Sequence, residues 1–483
     1  MPKKTAVKKS AAKKSAAKPA SKTKLRPASL TIRAYQVGFG DCFLLTFKYP
    51  KAKTTDRERH VLVDFGSTGM PKGIESDEQM MKVAQDIQKR CGGKLHGKLH
   101  IVVATHRHKD HISGFTTKKD GSGTGEVIAA LKPDIVIQPW TEDPKAKDPP
   151  PNKKSKKKTQ SAKALAATPK FISSLDNMNT LAEAAYAEVM HLSSSKFRVP
   201  LDEDLSDQVA FLSDDNSLPN KSAVANLAEM GTNHYVNYGY ELDLTQLLPG
   251  VKAHFLGPPN LEQHAEIQQE RSDDKNEFWM LQGAARGFWQ LQAATGELIK
   301  DFTTGNDQLF PEADAYQGYF PAHSRWFIRQ LRTLRGQQLQ GLVRILDKAM
   351  NNTSVILLFE VGGKKLLFPG DAQIENWEYA LSMDDDLKML EDVYFYKVGH
   401  HGSRNATPRT LWNNFAQKRA EGEKGARLQT VVSTMKGKHG HAESHTEVPR
   451  ATLVKELTGL TDYQSTEKAA ENKELYVELE ITF

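Results

Sequence analysis

Two hydrophobic periods alternate along the chain and divide it into strands and helices. The run Leu30-Thr31-Ile32-Arg33-Ala34-Tyr35-Gln36-Val37 alternates with period two and predicts a strand. Gly38-Phe39-Gly40-Asp41 then turns the chain into a second strand at 42–47, and 60–66 reads as a third. A helix is predicted over 77–89 and another over 127–131. Ile101-Val102-Val103-Ala104 is short, apolar and β-branched, which predicts a buried strand that delivers a loop. Further strands are predicted at 135–137, at 251–256 before Gly257-Pro258-Pro259, at 393–398, at 430–433 and at 475–481. Residues 354–361 and 365–368 flank Gly362-Gly363 and predict a hairpin.

Three stretches interrupt this pattern. Residues 143–162 are rich in Pro and Lys and predict a flexible linker. Residues 163–240 and 261–350 are expected to be helical inserts, the second acting as a cap. In that cap Phe327, Leu331, Leu334, Leu342 and Ile345 recur at helical spacing, the mark of a buried face. The predicted whole is one α/β domain over 28–483 carrying helical insertions, preceded by a tail over 1–27.

Charge refines that division. The chain has 483 residues and a net charge of +7. Ten cations and no acid lie in the tail: Lys3, Lys4, Lys8, Lys9, Lys13, Lys14, Lys18, Lys22, Lys24 and Arg26. Seven less ten leaves the rest of the chain at −3, so the positive charge belongs to the tail and not to the folded body. With Met1, Val7 and Leu25 as its only large apolar residues, the tail cannot bury a core and is expected to be disordered. It resembles the Lys-Ala-Pro tails of histone H1-like proteins. Such a tail binds DNA or RNA by neutralising phosphates, without sequence preference; a solubility tail or spacer is the plainer alternative. Cys42 and Cys91 are too few for a disulfide framework or a Cys-based zinc site. Neither a secretory signal nor a bilayer-length apolar run of roughly 18 to 20 residues is evident. The expectation is a soluble cytoplasmic protein with no membrane partner, nucleoid-associated if the tail holds DNA.

The candidate chemistry sits just past the 101–104 strand. Thr105-His106-Arg107-His108-Lys109-Asp110-His111 places four ligand-type side chains within six residues. In extended geometry His106 and His108 project to one side and can grip one ion, while Asp110 and His111 turn toward a neighbouring position. Imidazole and carboxylate without thiolate suit Zn²⁺ or Mn²⁺, one ion or two, and a catalytic site more than a structural one.

This segment resembles the signature of the metallo-β-lactamase fold superfamily. The resemblance implies a four-layer αβ/βα sandwich with metal at one edge of two facing sheets. Other residues match in family order. Asp64, ending Val61-Leu62-Val63-Asp64, is similar to an early Asp that supports the histidine loop from behind. Asp371, ending Leu366-Leu367-Phe368-Pro369-Gly370-Asp371, is similar to the carboxylate that bridges two ions. Lys397-Val398-Gly399-His400-His401-Gly402-Ser403 is similar to the late histidine element. Here His400 is taken as the ligand, because it directly follows the strand, and His401 as its substrate-facing neighbour. A closer likeness is to the hydrolase domain of competence-type DNA-uptake proteins. It rests on Val37-Gly38-Phe39-Gly40-Asp41, Asn351-Asn352-Thr353-Ser354 and His400-His401-Gly402-Ser403. One element is missing. Many members supply a third histidine to the first ion, and His191, His234, His254 and His323 offer no matching context.

The resemblance implies a metal-dependent hydrolase, and its competence-type branch a phosphodiesterase or nuclease that uses a metal-activated water. His106 and His108 would hold one ion, Asp110, His111 and His400 a second, with Asp371 between them and Asp110 also orienting the water. Lys397, His401, Ser403, His441 and His445 are candidates to meet substrate. Two alternatives stay open. The same pocket would suit a small cyclic nucleotide, a lactone or a thioester. The chain would otherwise be a non-catalytic nucleic-acid or partner-binding module with a vestigial metal site.

Overall fold

The computed structural model describes residues 25–53, 56–92, 98–147, 172, 220–264, 351–403, 407–435, 437–438 and 447–483. In the first half lie β1 (Ser29–Tyr35), β2 (Cys42–Lys48), β3 (Glu58–Phe65), β4 (Leu99–Val103), β5 (Ile135–Pro139) and β6 (Thr232–Val236). The second half supplies β7 (Val251–Gly257), β8 (Ile356–Val361), β9 (Lys364–Phe368), β10 (Val393–Lys397), β11 (Gln429–Val432), β12 (Asp462–Ser465) and β13 (Tyr476–Thr482). These form two mixed sheets of seven and six strands, in the orders β13-β1-β2-β3-β4-β5-β6 and β12-β11-β10-β9-β8-β7. Each sheet is antiparallel on one side and parallel on the other. The pairings from β13 to β3 are antiparallel and those from β3 to β6 parallel. In the second sheet β7, β8 and β9 are antiparallel, and β9 to β12 parallel. The protein is therefore of the mixed α/β class.

The strands that read as continuous apolar runs are buried on both faces, as parallel and central strands must be. Along β2, Phe43, Leu45 and Phe47 join a core shared with Leu357, Phe359 and Phe368 of the second sheet. The alternate residues Cys42 and Leu44 join a second core with Met80, Val83 and Ile87 of α1 (Ser76–Gly92). Three further helices on the first sheet's side are α2 (Lys109–Ile112), α3 (Thr124–Ala129) and α4 (Asn220–Glu229). A third core gathers the other alternate residues of the second sheet, Ile356, Leu358 and Leu367. Against them pack α5 (Ile374–Leu381), α6 (Asp384–Glu391), α7 (Arg409–Asn414) and α8 (Ala451–Leu460), with Trp377 the largest side chain wholly buried there. A short α9 (Thr466–Glu471) precedes β13. Each fully buried Phe or Leu contributes roughly 1.5–3 kcal/mol, so the shared core is what holds loops from the two sheets together.

The hairpin predicted around Gly362-Gly363 is present as β8 and β9, and both glycines have positive φ, 58° and 81°. Two strands depart from the sequence expectation. β6 lies in the stretch read as a helical insert, and β12 lay in no predicted element. The start of the predicted linker is a single 3₁₀ turn at Pro144–Lys147. Its remainder, most of the first insert and the cap at 265–350 lie outside the described residues. Among the described residues no helix is long and apolar enough to cross a membrane.

Candidate metal centre

The loops that follow β3, β4, β9 and β10 meet at the carboxyl ends of those strands, where parallel α/β sheets leave a crevice for ligands. β4 ends at Val103, the chain bends at His106 and Arg107, and α2 begins after the extended His108 (φ −63°, ψ 150°), carrying Asp110 and His111. Two glycines let other backbone lie against this loop. A Cβ at Gly66 would collide with the backbone of Asp110 and His111, and one at Gly40 with Gly66 and Asp110. The loop is tied there, with Asp41 N–H donating to the Asp110 carbonyl at 2.8 Å and Gly66 N–H to that of Asp41 at 3.0 Å. The Gly-x-Gly-Asp turn therefore cradles the histidine loop.

Asp64 lies under the loop. Its Oδ1 accepts from Thr105 N–H at 2.7 Å, and its Oδ2 from Thr105 Oγ1 and His111 Nδ1, both at 2.8 Å. His401 is held in a matching way, its Nδ1 donating to the Ser433 carbonyl at 2.9 Å. With Nδ1 engaged on an acceptor, each ring points Nε2 at the cluster, where it donates to a carboxylate or, once its proton is displaced by an ion, offers a lone pair, the tautomer that partners behind a metal ligand enforce. Those Nε2 atoms converge on two carboxylates. His111 Nε2 lies 3.1 Å from Asp371 Oδ2, and His401 Nε2 lies 2.8 Å from Asp110 Oδ2 and 3.7 Å from Asp371 Oδ2.

Among the described residues three groups bring their ligand atoms within 4.8 Å of one another: Asp110, His111, Asp371 and His401; His106, His108 and Asp110; and Asp41, Asp64 and His111. All are buried. The first two fit a metal ion. Among the described residues Asp110 Oδ1 is buried with no hydrogen-bond partner, a cost of about 1–3 kcal/mol or more that a cation would remove. The donors are all nitrogen and oxygen, the set that suits a hydrolytic ion. The third group is already neutralised, because the Lys397 ammonium pairs with Asp41.

Charge within the cluster is self-consistent. Burial pushes His106 well below the ordinary imidazole value and His108 down to about 4, keeping both neutral. Burial would also lower His111 and His401, but Asp371 and Asp110 outweigh it and hold both rings above their ordinary value. Against the opposing pull of burial, His111 in turn keeps Asp110 and Asp371 below the usual carboxylate range. Backbone strain gathers at the same place. Of five described non-glycine residues with positive φ, Asp64 (55°), His400 (42°) and His401 (52°) belong here. Such conformations cost of order 1–3 kcal/mol each and collect at functional sites.

The candidate residues sort as follows. His106, His108, Asp110, His111 and Asp371 come together, and Asp110 is common to the first two groups whereas Asp371 belongs to one. At the late element the ring that joins them is that of His401, and His400 contributes its backbone N–H to Asp371 Oδ1 at 3.0 Å. The two consecutive left-handed residues turn the second ring inward. Lys397, expected to meet substrate, is 2 % exposed and pairs with Asp41 and with Asp371 Oδ1 at 3.4 Å, so it balances carboxylates from beneath. Ser403 is buried, its N–H donating to the His400 carbonyl at 2.8 Å. His441, His445 and the tail lysines Lys3, Lys4, Lys8, Lys9, Lys13 and Lys14 lie outside the described residues, as do His191 and His323. His234 faces the Tyr240 hydroxyl at 3.1 Å and His254 faces Glu360 at 3.1 Å, apart from all three groups. Asp41, Thr105 and Ser433 were given no role from sequence. Only Asp41 carried a signal, its place at the end of a Gly-x-Gly turn.

No family model matches the chain, and the search of curated proteins found no match.

Proposed function

We propose that the protein is a metal-dependent hydrolase of the metallo-β-lactamase fold, acting on phosphodiesters. The observation that carries this reading is the convergence of His111 and His401, each locked through Nδ1, on Asp110 and Asp371. Three cores, one between the sheets and one on the far face of each, support a four-layer αβ/βα sandwich. The order of Asp64, the histidine loop, Asp371 and the late histidines along the chain supports the family.

His106, His108 and Asp110 would hold one ion, and Asp110, His111, Asp371 and His401 another, with Zn²⁺ or Mn²⁺ suited to these donors. When bound, such an ion supplies a hydroxide at neutral pH and neutralises charge that develops on a phosphoryl oxygen. The chain's own part is to place and relay protons. Asp110 would orient a water held at the ion positions it borders, and Asp64 keeps His111 from turning. Lys397 offsets the negative charge of Asp41 and Asp371 in a buried setting. The ten cations of residues 1–27 would retain a nucleic-acid substrate through its phosphates.

Cleavage of DNA and RNA, alongside a cyclic nucleotide, a lactone and a thioester, separates the readings when wild type and Asp371→Ala are compared with Mn²⁺ or Zn²⁺ added. Phosphodiester cleavage lost in the variant supports the proposal. Cleavage confined to a small ester moves the substrate class, and metal binding with no hydrolysis of any of them makes the chain a binding module. Deleting residues 1–27 should lower nucleic-acid affinity and flatten its salt dependence; unchanged slopes remove the tail from the account.

A further inference from the structure

Four contacts close a ring of residues that includes His401. Its Nδ1 donates to the Ser433 carbonyl at 2.9 Å, and its imidazole lies against the Phe39 ring, with centroids 4.2 Å apart. Phe39 N–H donates to the Gly69 carbonyl at 2.8 Å, so the Gly-x-Gly-Asp turn is paired with the chain that leaves β3. Lys438 follows, its side chain lying across Gly69. Lys438 and Ser433 belong to the same loop after β11, which completes the ring.

Gly69 does not have a positive φ, so its backbone conformation is open to any residue. What the missing side chain provides is room. A Cβ at Gly69 would stand 2.8 Å from Lys438 Cε and 3.0 Å from its Nζ, closer than packed atoms settle. The loop carrying the lysine is fixed at its base, where Ser433 Oγ donates to the Gly40 carbonyl and Thr434 N–H to Thr466 Oγ1. Further along, Lys438 N–H donates to the Met435 carbonyl at 3.3 Å. An ammonium is thereby set one aromatic ring away from a proposed ligand of the ions. Two other cations on these loops have different work. Lys397 is buried against Asp41 and Asp371, and Arg107 Nε lies 2.9 and 3.1 Å from the two oxygens of Glu142.

A phosphodiester held at the ions has its charge met by them. A strand carries further phosphates on either side, and those need a cation outside the cluster. We propose that Lys438 receives the phosphate next to the one held at the ions, so that the centre takes a nucleic-acid strand in preference to an isolated phosphodiester. The proposal rests on the hydrolase reading and names the form of substrate within it. It separates Lys438 from the cations of residues 1–27, which would retain a polymer without placing any one of its bonds.

The test compares wild type with Lys438→Met, both full-length and loaded with Mn²⁺, on a short single-stranded DNA and on a simple aryl phosphodiester. For DNA, KM should rise about threefold or more with kcat little changed. Binding of the same DNA, followed by fluorescence anisotropy, should lose about 0.7 from its slope of log affinity against log salt, the share of one phosphate in a single strand. The aryl substrate should show no rise in KM. Lys438→Arg should restore DNA binding, and Gly69→Ala, which keeps the charge but fills the place of the side chain, should weaken it. Lys252→Met removes the same charge at the hairpin end of the second sheet and should match wild type throughout. An unchanged salt slope in Lys438→Met, or a KM that rises equally for both substrates, overturns the proposal. Wild type that cleaves the aryl substrate but neither binds nor cleaves DNA overturns it too and leaves the hydrolase standing. Wild type that hydrolyses neither substrate refutes the hydrolase reading instead, and the salt slope of DNA binding still decides the part of Lys438.

Discussion

His401 Nε2 meets Asp110 Oδ2 at 2.8 Å across a sequence separation of 291 residues, joining the loop after β4 of the first sheet to the loop after β10 of the second. The contact exists because the shared core fixes the two sheets against each other, and because the left-handed turn at His400 and His401 rotates the second ring inward. Replacing His401 by Ala should lower Mn²⁺ or Zn²⁺ affinity by at least about tenfold. His400→Ala should change it far less, since the amide that reaches Asp371 remains. Equilibrium dialysis of both variants decides; equal losses, or the larger loss at His400, contradict the assignment.

Asp64 touches no predicted ion position, yet it holds Thr105 N–H, Thr105 Oγ1 and His111 Nδ1 together. Asp64→Ala frees the ring and leaves a buried amide unsatisfied. Metal affinity should fall by about 10- to 100-fold, the usual effect of losing an outer partner of a histidine ligand. The protein should melt earlier as well. Affinity that stays at the wild-type level would show that the ring is oriented by something else.

Gly66 has no side chain because the histidine loop occupies the space where a Cβ would lie. Gly66→Ala must push the backbone of Asp110 and His111 away, at a cost of about 1–3 kcal/mol in stability. Since both residues are proposed ligands, metal uptake should fall even in protein that is fully folded by circular dichroism. Normal uptake in the folded variant would mean that the loop tolerates displacement.

Much of this arrangement was legible in the sequence, and the exceptions have physical causes. Strands buried on two faces, such as β2, β4 and β8, are apolar at nearly every position and announce themselves. β6 (Thr232-Asn233-His234-Tyr235-Val236) and β12 (Asp462-Tyr463-Gln464-Ser465) do not, because each is the edge strand of its sheet and is only partly buried. Polar side chains suffice there. The histidine loop was visible because its ligand-type side chains are local in sequence. The choice between His400 and His401 was not, since two successive positive φ angles reverse the facing that a strand's alternation implies. The Asp41–Lys397 pair was hidden for another reason: it joins distant segments, and a buried lysine reads in sequence like any surface lysine.

His100 of β4 offers a test of the fold that is independent of metal. Burial and then Arg59 push its pKa down to about 4, while its Nδ1 accepts from His60 N–H at 3.1 Å. The unfolded chain takes up a proton near pH 6.5, the folded one near 4. As pH falls through that window the unfolded state binds the extra proton, so the folded state loses up to about 3 kcal/mol. Urea titrations between pH 7 and 4 should show a shallower acid loss for His100→Gln than for wild type, by about one proton at most. Parallel profiles would contradict the buried neutral imidazole.

A metal centre built from the histidine loop, Asp371 and His401 is proposed to hydrolyse phosphodiesters. Its most direct test is the hydrolysis of a simple aryl phosphodiester by full-length protein that has been stripped by a chelator and reloaded, measured for wild type and Asp110→Asn. Activity should vanish with the chelator, return with Mn²⁺ or Zn²⁺, and fall by about 10²-fold or more in the variant. Hydrolysis indifferent to the chelator, or equal in Asp110→Asn, would contradict it.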